Sequence, residues 1–448
     1  MRLLEALGPK GPFAARNRQD VPDVTGTVVA ELSLVPRLFV QRAMTALRKA
    51  EPLPVDERAA ALAKAASIFT DSTIGGLTHE EYLGTVSRVS GMPVTYVRAA
   101  ASVVASAAAD ATKTVEHARP LGAVTSWRDP VVRQGHALWA RRGDVFAVHA
   151  AGNHPGIHAV WLEALALGYR VAVRPSRREP FTAHRLISAL RAAGFGDDQV
   201  VYLPTDHAVA DEVIAGADLA MVYGGDDVVT KYAGSTKVLP QGPGRSKILL
   251  ADGDTHLDTV VSSISSEAGM ACVNTTAVFV AGDPAPVAEA IAERLAALPS
   301  VAPDDEAARL PVLRLAAAQG IDRAVKAAAR GATALTGGVE DLGDGSAVLR
   351  PAVFVLDRAD AEQTRVEMGF PCVWVAPWSP GDGVAPLRDT LVITAFTEDE
   401  ALVDRLVVEP SISNVYVGEH PTHWMRPHVP HDGFLAEFLM RTKGVVRD

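Results

Sequence analysis

Residues 144–176 read DVFAVHAAGNHPGIHAVWLEALALGYRVAVRPS, in which two short apolar runs flank a helical pattern over 156–167. Short apolar strands that alternate with helices of about 10–15 residues predict right-handed crossovers and a parallel, doubly wound sheet. A second series of this kind starts near Lys247. The sequence therefore predicts an α/β fold. The same pattern predicts further helices over residues 181–193, 207–215, 226–234, 257–269 and 284–298.

The N-terminal hundred residues are predicted to be mostly helical. Residues 1–25 show no clear period, whereas 27–69 have the apolar spacing of amphipathic helices. Residues 95–117 are rich in alanine, which favours a helix. Residues 118–142 then alternate apolar and polar side chains around Asp129-Pro130. That alternation is typical of a strand pair joined by a turn.

Composition and charge exclude several classes of protein. The 448 residues are 48% hydrophobic, enough to bury the cores of two or three domains. Lys and Arg number 43 against 53 for Asp and Glu, and no basic run occurs, so nucleic acid is not expected as a partner. The small-residue run Ala99–Ala109 is far shorter than the ~20 residues of a membrane span, so no membrane association is expected.

Cysteine content and the N-terminal segment predict a cytoplasmic protein. Cys272 and Cys372 are too few for a disulfide framework and fit a reducing compartment. The first twenty residues carry proline and charge where a signal peptide needs an apolar core.

Five motifs follow one another in a recognisable order. Asn153-His154-Pro155 closes one predicted strand, Arg174-Pro175-Ser176 closes the next, and Gly269-Met270-Ala271-Cys272 comes further along. EMGFP over 367–371 and the pair SISNVYVG and VPHDGFLAEFLMRTKGV over 411–445 complete the series. Together they resemble the aldehyde dehydrogenase superfamily over most of the chain. The pattern is most similar to its CoA-acylating branch and to the related acyl-CoA (fatty-acyl) reductases.

The resemblance implies two doubly wound, Rossmann-like α/β domains and a small oligomerisation hairpin. Residues 1–117 and 143–243 would form the cofactor-binding domain with its N-terminal helices, because proline and glycine cluster in PQGPG up to position 244. Residues 244–429 would form the catalytic domain. Residues 118–142 and 430–448 would build a homodimer or homotetramer.

By the same resemblance, Cys272 and Asn153 are the catalytic residues. A Cys272 thiolate would attack a carbonyl carbon and form a thioester that is easily released. The Asn153 amide and the Cys272 backbone N–H would stabilise the oxyanion. The alternatives are a buried core cysteine at position 272 and, for Asn153, a turn residue favoured before Pro155.

The cofactor residues depart from the family pattern at the end of the second strand. Arg174 replaces the usual lysine before Ser176, and Arg177 stands where NAD-preferring members tend to carry an acidic residue. Arg177, helped by Arg178, would pair with a 2′-phosphate, so NADP(H) is predicted, with NAD(H) as the alternative cofactor. A solvated basic loop is the other interpretation of this segment.

Two further cofactor contacts follow from the resemblance. Gly225, in Tyr223-Gly224-Gly225-Asp226, occupies the helix start near the pyrophosphate, where the negative charge of Asp226 would repel that group. Glu367 would hold the nicotinamide ribose.

The most consequential departure concerns release of the acyl group. Aldehyde-oxidising members use a glutamate in Glu-Leu-Gly-Gly-Lys as the base that activates water. Aligning that lysine with Lys247 of QGPGRSK places Pro243 at the glutamate position. The Gly-Pro-Gly run resembles the CoA-acylating branch, in which a thiol rather than water exchanges with the thioester. The alternative is that Glu267, five residues before Cys272, supplies the base.

The sequence thus predicts an NADPH-dependent reductase of an acyl thioester, either acyl-CoA or an acyl group on a carrier protein, that releases an aldehyde from a Cys272 thioester. The reverse reaction, oxidative acylation of CoA by an aldehyde, uses the same site. Two alternatives stay open: a hydrolytic NAD(P)-dependent aldehyde dehydrogenase that produces a carboxylic acid, and an inactive scaffold.

Several conspicuous residues are given no catalytic role. The thirteen histidines show no His-Glu-x-x-His spacing, and the two cysteines form no Cys-x-x-Cys pair, so no metal is expected. His154 follows Asn153, yet a turn histidine is more often a packing residue. Cys372 lies in the apolar run FPCVWVAPW and is interpreted as a packing residue.

Overall fold

The computed structural model of the chain describes residues 2–426 and 429–448. The strands are β1 Arg2–Leu4, β2 Ala6–Gly8, β3 Gly11–Phe13, β4 Arg18–Pro22, β5 Val28–Ser33, β6 His136–Arg141, β7 Val145–His149, β8 Arg170–Arg174, β9 Val200–Tyr202, β10 Leu219–Tyr223, β11 Val238–Gln241, β12 Ser246–Leu250, β13 Thr275–Ala281, β14 Val312–Arg314, β15 Thr333–Ala334, β16 Val339–Asp341, β17 Ser346–Leu349, β18 Ala352–Val355, β19 Cys372–Trp378, β20 Thr390–Phe396, β21 Ile412–Val417 and β22 Met440–Val445.

The α-helices alternate with these strands over much of the chain. They are α1 Arg37–Lys49, α2 Val55–Asp71, α3 His79–Ser90, α4 Val94–Ala118, α5 Leu162–Ala166, α6 Phe181–Ala193, α7 His207–Ala215, α8 Asp226–Tyr232, α9 Leu257–Ser265, α10 Ala285–Ala296, α11 Leu315–Ala328, α12 Glu400–Val408 and α13 Leu435–Leu439.

The first large sheet has the order β11-β10-β7-β8-β9-β2-β3. Its strands from β11 to β9 are parallel, and the N-terminal strands β2 and β3 add an antiparallel edge. Alternate side chains of β7 point to opposite layers: Phe146 and Val148 pack with helices α2, α4 and α6, whereas Val145 and Ala147 pack with α1 and α7. The predicted doubly wound sheet is therefore confirmed.

The second large sheet has the order β15-β18-β19-β13-β12-β20-β21. All neighbouring strands from β18 to β21 are parallel, and only the short β15 is antiparallel. Trp374 and Phe279 are fully buried in its core. Two smaller three-stranded sheets, β1-β5-β4 and β14-β17-β16, flank the large sheets.

The N-terminal segment differs from the sequence prediction. Residues 2–33 form five short strands, and the helix expected from residue 27 begins only at Arg37. The prediction was wrong over β5 because VVAELS buries side chains in pairing with β1 and β4, and this tertiary pairing overrides a weak helical spacing.

The strand pair predicted within residues 118–142 does not form a local hairpin. Asp129 instead caps a short 3-10 turn over Pro130–Gln134 through a 3.0 Å hydrogen bond to the Val131 N–H. Strand β6 pairs antiparallel with β22, from His136 opposite Val445 to Arg141 opposite Met440. The expected hairpin is thus a two-stranded ribbon built from two distant segments, and the division into domains stays a prediction.

Within the described residues, no single helix has both the length and the apolar composition to cross a bilayer. Helices α3 and α4 meet that criterion only when taken together, and they are bent by 117° relative to each other.

Candidate active site

The carboxyl ends of four parallel strands meet at one edge of the first sheet. His149 at the end of β7 pairs in register with Arg174 at the end of β8, and Tyr223 at the end of β10 pairs with Gln241 at the end of β11. In open parallel sheets, this edge is where ligands bind. The Asn153 turn, Gly225 and the QGPGR loop all follow these strand ends.

Cys272 lies after an unusual turn that connects α9 to β13. Glu267, Ala268 and Gly269 have consecutive positive φ values of 52°, 56° and 68°, a backbone region that side chains rarely adopt. A Cβ on Gly269 would overlap the backbone at Phe370 and Pro371, so only glycine fits there. The glycine of the Gly-x-x-Cys motif is therefore required by the close approach of two loops.

The QGPGR loop packs directly against the backbone of Cys272. A Cβ on Gly244 would overlap the Cys272 carbonyl group. The Ser246 hydroxyl donates a 3.1 Å hydrogen bond to the same carbonyl oxygen. The segment that contains Pro243 thus lies beside the candidate nucleophile, and between Gln241 and Arg245 it contains no carboxylate.

Asn153 is brought to the same loop. Its Nδ2 atom donates a 2.8 Å hydrogen bond to the carbonyl of Met270, two residues before Cys272. An amide nitrogen carries two N–H groups, so one donor stays available for another acceptor. The structure therefore brings together the two residues predicted to be catalytic.

His154 and Glu267, which the sequence treats separately, form a pair. The Nε2 atom of His154 is 2.6 Å from a carboxylate oxygen of Glu267. The Nδ1 atom accepts a 3.0 Å hydrogen bond from the Gly156 N–H and so carries no proton itself. The ring proton therefore lies on Nε2, which donates a hydrogen bond to the Glu267 carboxylate. Glu267, the alternative candidate for the base that activates water, therefore already accepts a hydrogen bond from His154.

The Cys272 side chain lies among apolar groups, two carboxylates and one histidine. Burial, and then the negative charges of Glu367 and Asp432, raise the pKa of the thiol to about 12. The Nε2 atom of His431 is 3.7 Å from Sγ. Sequence reasoning missed His431; the only signal for it was its place in the C-terminal motif VPHDGF.

Glu367 and Asp226 are both held by Arg245. The Arg245 backbone N–H donates a 2.6 Å hydrogen bond to Glu367, and the guanidinium contacts both carboxylate oxygens of Asp226 at 2.6 and 2.7 Å. This bidentate ion pair offsets the negative charge of Asp226. The repulsion expected between Asp226 and a pyrophosphate is therefore smaller than the sequence indicates.

Arg174 and Arg177 create a positive field at the end of β8. Burial, and then the charge of Arg177, lower the pKa of Arg174, while Arg177 also lowers the pKa of nearby His207. Arg174 donates to the Thr205 hydroxyl at 2.8 Å and Arg177 to the Gln19 side chain at 3.0 Å. The charges of Asp206 and Asp211 partly offset that of Arg174. Among the described residues neither arginine forms an ion pair with a carboxylate, so the pair leaves positive charge for an anionic group such as a phosphate.

Ser176 and Gly225 have local structural roles in addition to their predicted ones. The Ser176 hydroxyl accepts a 3.1 Å hydrogen bond from the Arg178 N–H and packs against Gly152 of the Asn153 turn. Gly225 precedes helix α8, and its carbonyl accepts hydrogen bonds from the N–H groups of Val228 and Val229.

Cys372 is buried in β19 within the second core, as its interpretation as a packing residue requires.

Comparisons with known proteins agree with this geometry. The sequence model of the Aldehyde dehydrogenase family matches residues 16–436. An NAD-dependent aldehyde dehydrogenase from Sinorhizobium meliloti has a TM-score of 0.85 and 20% identity, over 99% of this chain and 94% of that chain. The indole-3-acetaldehyde dehydrogenase AldA of P. syringae, solved with NAD⁺, has a TM-score of 0.83 and 18% identity, over 98% and 96% of the two chains. At these identities the likeness shows a shared fold.

A curated relative matches over a shorter length. The aldehyde-dehydrogenase-like protein y4uC of Sinorhizobium fredii is 25% identical over 125 residues, which are 26% of this chain and 24% of that protein. The aligned part therefore spans about a quarter of the relative.

The contact between Gly244 and Cys272 predicts a specific effect of Gly244→Ala. The added methyl group has no space beside the Cys272 carbonyl, so we expect the free energy of unfolding in urea to fall by about 1–3 kcal/mol. Gly234→Ala is the matched control, because nothing lies within 4 Å of its Cβ position. Equal stabilities of the two variants would mean that the QGPGR loop does not pack on Cys272.

Proposed function

Because the chain belongs to the aldehyde dehydrogenase family, we propose that it is an NADP(H)-dependent oxidoreductase that interconverts an acyl thioester and an aldehyde through an acyl group on Cys272. The thiol partner is CoA or a carrier-bound thiol. The observation that carries this proposal is the packing of a carboxylate-free Gly-Pro-Gly loop against Cys272.

The chemistry at Cys272 uses groups that lie around its sulfur. The thiolate attacks the carbonyl carbon, and the carbonyl oxygen becomes an oxyanion. The free N–H of the Asn153 amide is suited to donate to that oxyanion, since its other N–H is occupied by Met270. Preorganised donors of this kind are typically worth ~10²–10³-fold in rate.

The surroundings of Cys272 favour a thiol over water as the acceptor of the acyl group. Hydrolysis needs a base that activates water, and by the resemblance Pro243 would stand where aldehyde-oxidising members carry their glutamate. Glu367, one of the two carboxylates whose charges act on the Cys272 thiol, is hydrogen-bonded to the Arg245 N–H. The lack of a glutamate in the loop beside Cys272 therefore favours exchange of the acyl group with a thiol over its hydrolysis.

The predicted cofactor residues fit a dinucleotide with a 2′-phosphate. Arg174 and Arg177 supply two positive charges, of which that of Arg174 is partly offset by Asp206 and Asp211. Glu367 lies beside Cys272, where the nicotinamide ribose would be held. When bound, the nicotinamide supplies hydride chemistry at the reacting carbon. The protein's own contribution is to bind and orient it at the carboxyl edge of the first sheet.

A hydrolytic aldehyde dehydrogenase is the second candidate. It is favoured by the 2.6 Å pair between His154 and Glu267, because a histidine-bound carboxylate five residues before the nucleophile would be suited to orient and deprotonate water. The aldehyde dehydrogenase-type site is shared by both candidates. They differ in whether water or a thiol removes the acyl group.

The ribbon of β6 and β22 supports a proposed homodimer or homotetramer. A two-stranded ribbon is marginally stable by itself. Beside it, Trp127 and Val446 are 48% and 70% exposed. A second copy of the chain would cover these side chains.

Substrate assays test the proposed function directly. We expect acyl-CoAs of suitable chain length to drive NADPH oxidation with release of the aldehyde, and Cys272→Ala to abolish this turnover, because no other thiol lies at the site. The measurement follows NADPH absorbance and identifies the product by mass. Cys372→Ala is the matched control and should retain activity.

Other results of this assay separate the alternatives. Oxidation of aldehydes to free acids in the absence of any thiol would contradict the reductase proposal and favour the hydrolytic enzyme. No turnover with any donor, together with no saturable binding of NADPH, would favour an inactive scaffold.

The cofactor proposal predicts a loss of NADPH preference in Arg177→Glu. Replacing the guanidinium by a carboxylate repels a 2′-phosphate, so the ratio of kcat/KM for NADPH to that for NADH should fall at least about tenfold, which corresponds to about 1.4 kcal/mol. Arg323→Glu makes the same charge change on the exposed side of α11 and should leave the ratio unchanged. An unchanged ratio in Arg177→Glu would rule out this role.

A further inference from the structure

We propose that His431 is the catalytic base that removes the thiol proton of Cys272 and then delivers that proton to the thiol leaving group of the acyl donor. The first half of this inference depends only on the geometry of the two side chains. The second half rests on the proposed function, because it needs a thioester as the donor.

The position of the His431 imidazole makes Cys272 its main polar neighbour. Nε2 is 3.7 Å from Sγ, a distance that permits a hydrogen bond with sulfur. The other ring nitrogen, Nδ1, is buried and has no hydrogen-bond partner among the described residues. The ring is therefore not committed to a structural hydrogen bond, in contrast to His154, whose two nitrogens both have partners.

The backbone around His431 is held by strand β21. The Asn414 side chain donates hydrogen bonds to the His431 carbonyl and, at 2.9 Å, to the Leu391 carbonyl. The next residue, Asp432, accepts a 3.0 Å hydrogen bond from the Ser413 hydroxyl. Two neighbouring residues of one strand thus fix the segment that presents the imidazole to Cys272.

The thiol needs a base in these surroundings. Burial and the charges of Glu367 and Asp432 raise its pKa to about 12, so a thiol without help stays protonated at neutral pH. The third titratable group facing it, Tyr223 of β10, is fully neutral at neutral pH because burial raises its pKa. Tyr223 therefore cannot accept the proton.

His431 has the protonation state that a base requires. Burial lowers the pKa of its imidazole, so the ring is neutral at pH 7 and has a lone pair to accept a proton. The neighbouring Asp432 carboxylate acts in the opposite direction and stabilises the imidazolium once it forms. The nearby carboxylates Glu267 and Glu367 are held in hydrogen bonds with His154 and the Arg245 N–H.

In the proposed thioester exchange, every proton and electron pair is accounted for. The S–H bond of Cys272 breaks, its proton moves to Nε2, and the sulfur electron pair forms the new bond to the carbonyl carbon. The carbonyl π electrons move to oxygen and return when the bond from carbon to the donor sulfur breaks. That sulfur leaves as a thiolate and receives the proton from the His431 imidazolium. One thiol is consumed and one is released, so no oxidant or reductant is needed.

Alkylation with iodoacetamide tests this base without substrate or cofactor. The full chain is labelled between pH 5 and pH 10, and the peptides that contain Cys272 and Cys372 are quantified by mass. Cys372 reports unfolding, because it is buried in the core of the second sheet and becomes accessible to the reagent only when the chain opens. We expect Cys272 to be alkylated at neutral pH while Cys372 stays unlabelled.

The pH profile of Cys272 has a defined direction. A protonated imidazole cannot accept the thiol proton, so the alkylation rate should fall as the pH decreases through the pKa of His431, which burial holds below 6.5. If Cys272 in the unmodified, folded chain reacts only at alkaline pH, the proposal is overturned without any variant.

Two variants make the test specific to His431. His431→Gln and His431→Ala should slow alkylation of Cys272 at pH 7 by ~10²-fold and move its onset to alkaline pH, since general-base catalysis is worth at least this much. His136→Gln, on β6 and away from Cys272, is the matched control. An unchanged Cys272 profile in both His431 variants would overturn the proposal. A chain that behaves as expected here but accepts no acyl group from any thioester would refute the proposed function and leave His431 as the base of Cys272.

Discussion

The close contact between Gly244 and the Cys272 carbonyl is the constraint on which the site depends. No side chain fits between these two backbones, so the loop that leaves the first sheet after β11 has to cross the nucleophile before it enters β12. Fully buried Lys247 fixes this crossing, because its ammonium donates to the carbonyls of Arg245 and Arg388 at 3.0 Å. This crossing therefore determines the position of Cys272, and the QGPGR loop that makes it contains no carboxylate.

Much of the fold could be predicted from apolar periodicity. The helices predicted over 181–193 and 207–215 have these bounds in the structure. An amphipathic helix can be predicted from local sequence, because the spacing of its apolar residues indicates which face is buried. The predictions failed where a strand pairs with other strands that are distant in the sequence. Strand β5 is stabilised by β1 and β4, and β6 by β22, which lies about three hundred residues away in the chain. The sequence near each strand does not indicate which distant strand it pairs with.

The site could be predicted only where a motif is local. Family-like motifs predict roles for Cys272, Asn153 and Glu367, and in the structure Asn153 and Glu367 lie beside the loop that carries Cys272. The pairs that join separate motifs could not be found, because His154 is 113 positions from Glu267 and Cys272 is 159 positions from His431. Such contacts follow from the tertiary arrangement of the two sheets, which a single sequence does not specify.

The fate of an acyl group on Cys272 tests the central claim, that this site transfers acyl groups to thiols rather than to water. The chain is acylated with an acyl-CoA in the absence of NADPH, the donor is removed, and the intact mass is followed in buffer with and without an added free thiol. The account predicts that the adduct persists in buffer alone and is lost quickly when the thiol is present. Loss at the same rate in both samples, with release of the free acid, would contradict it.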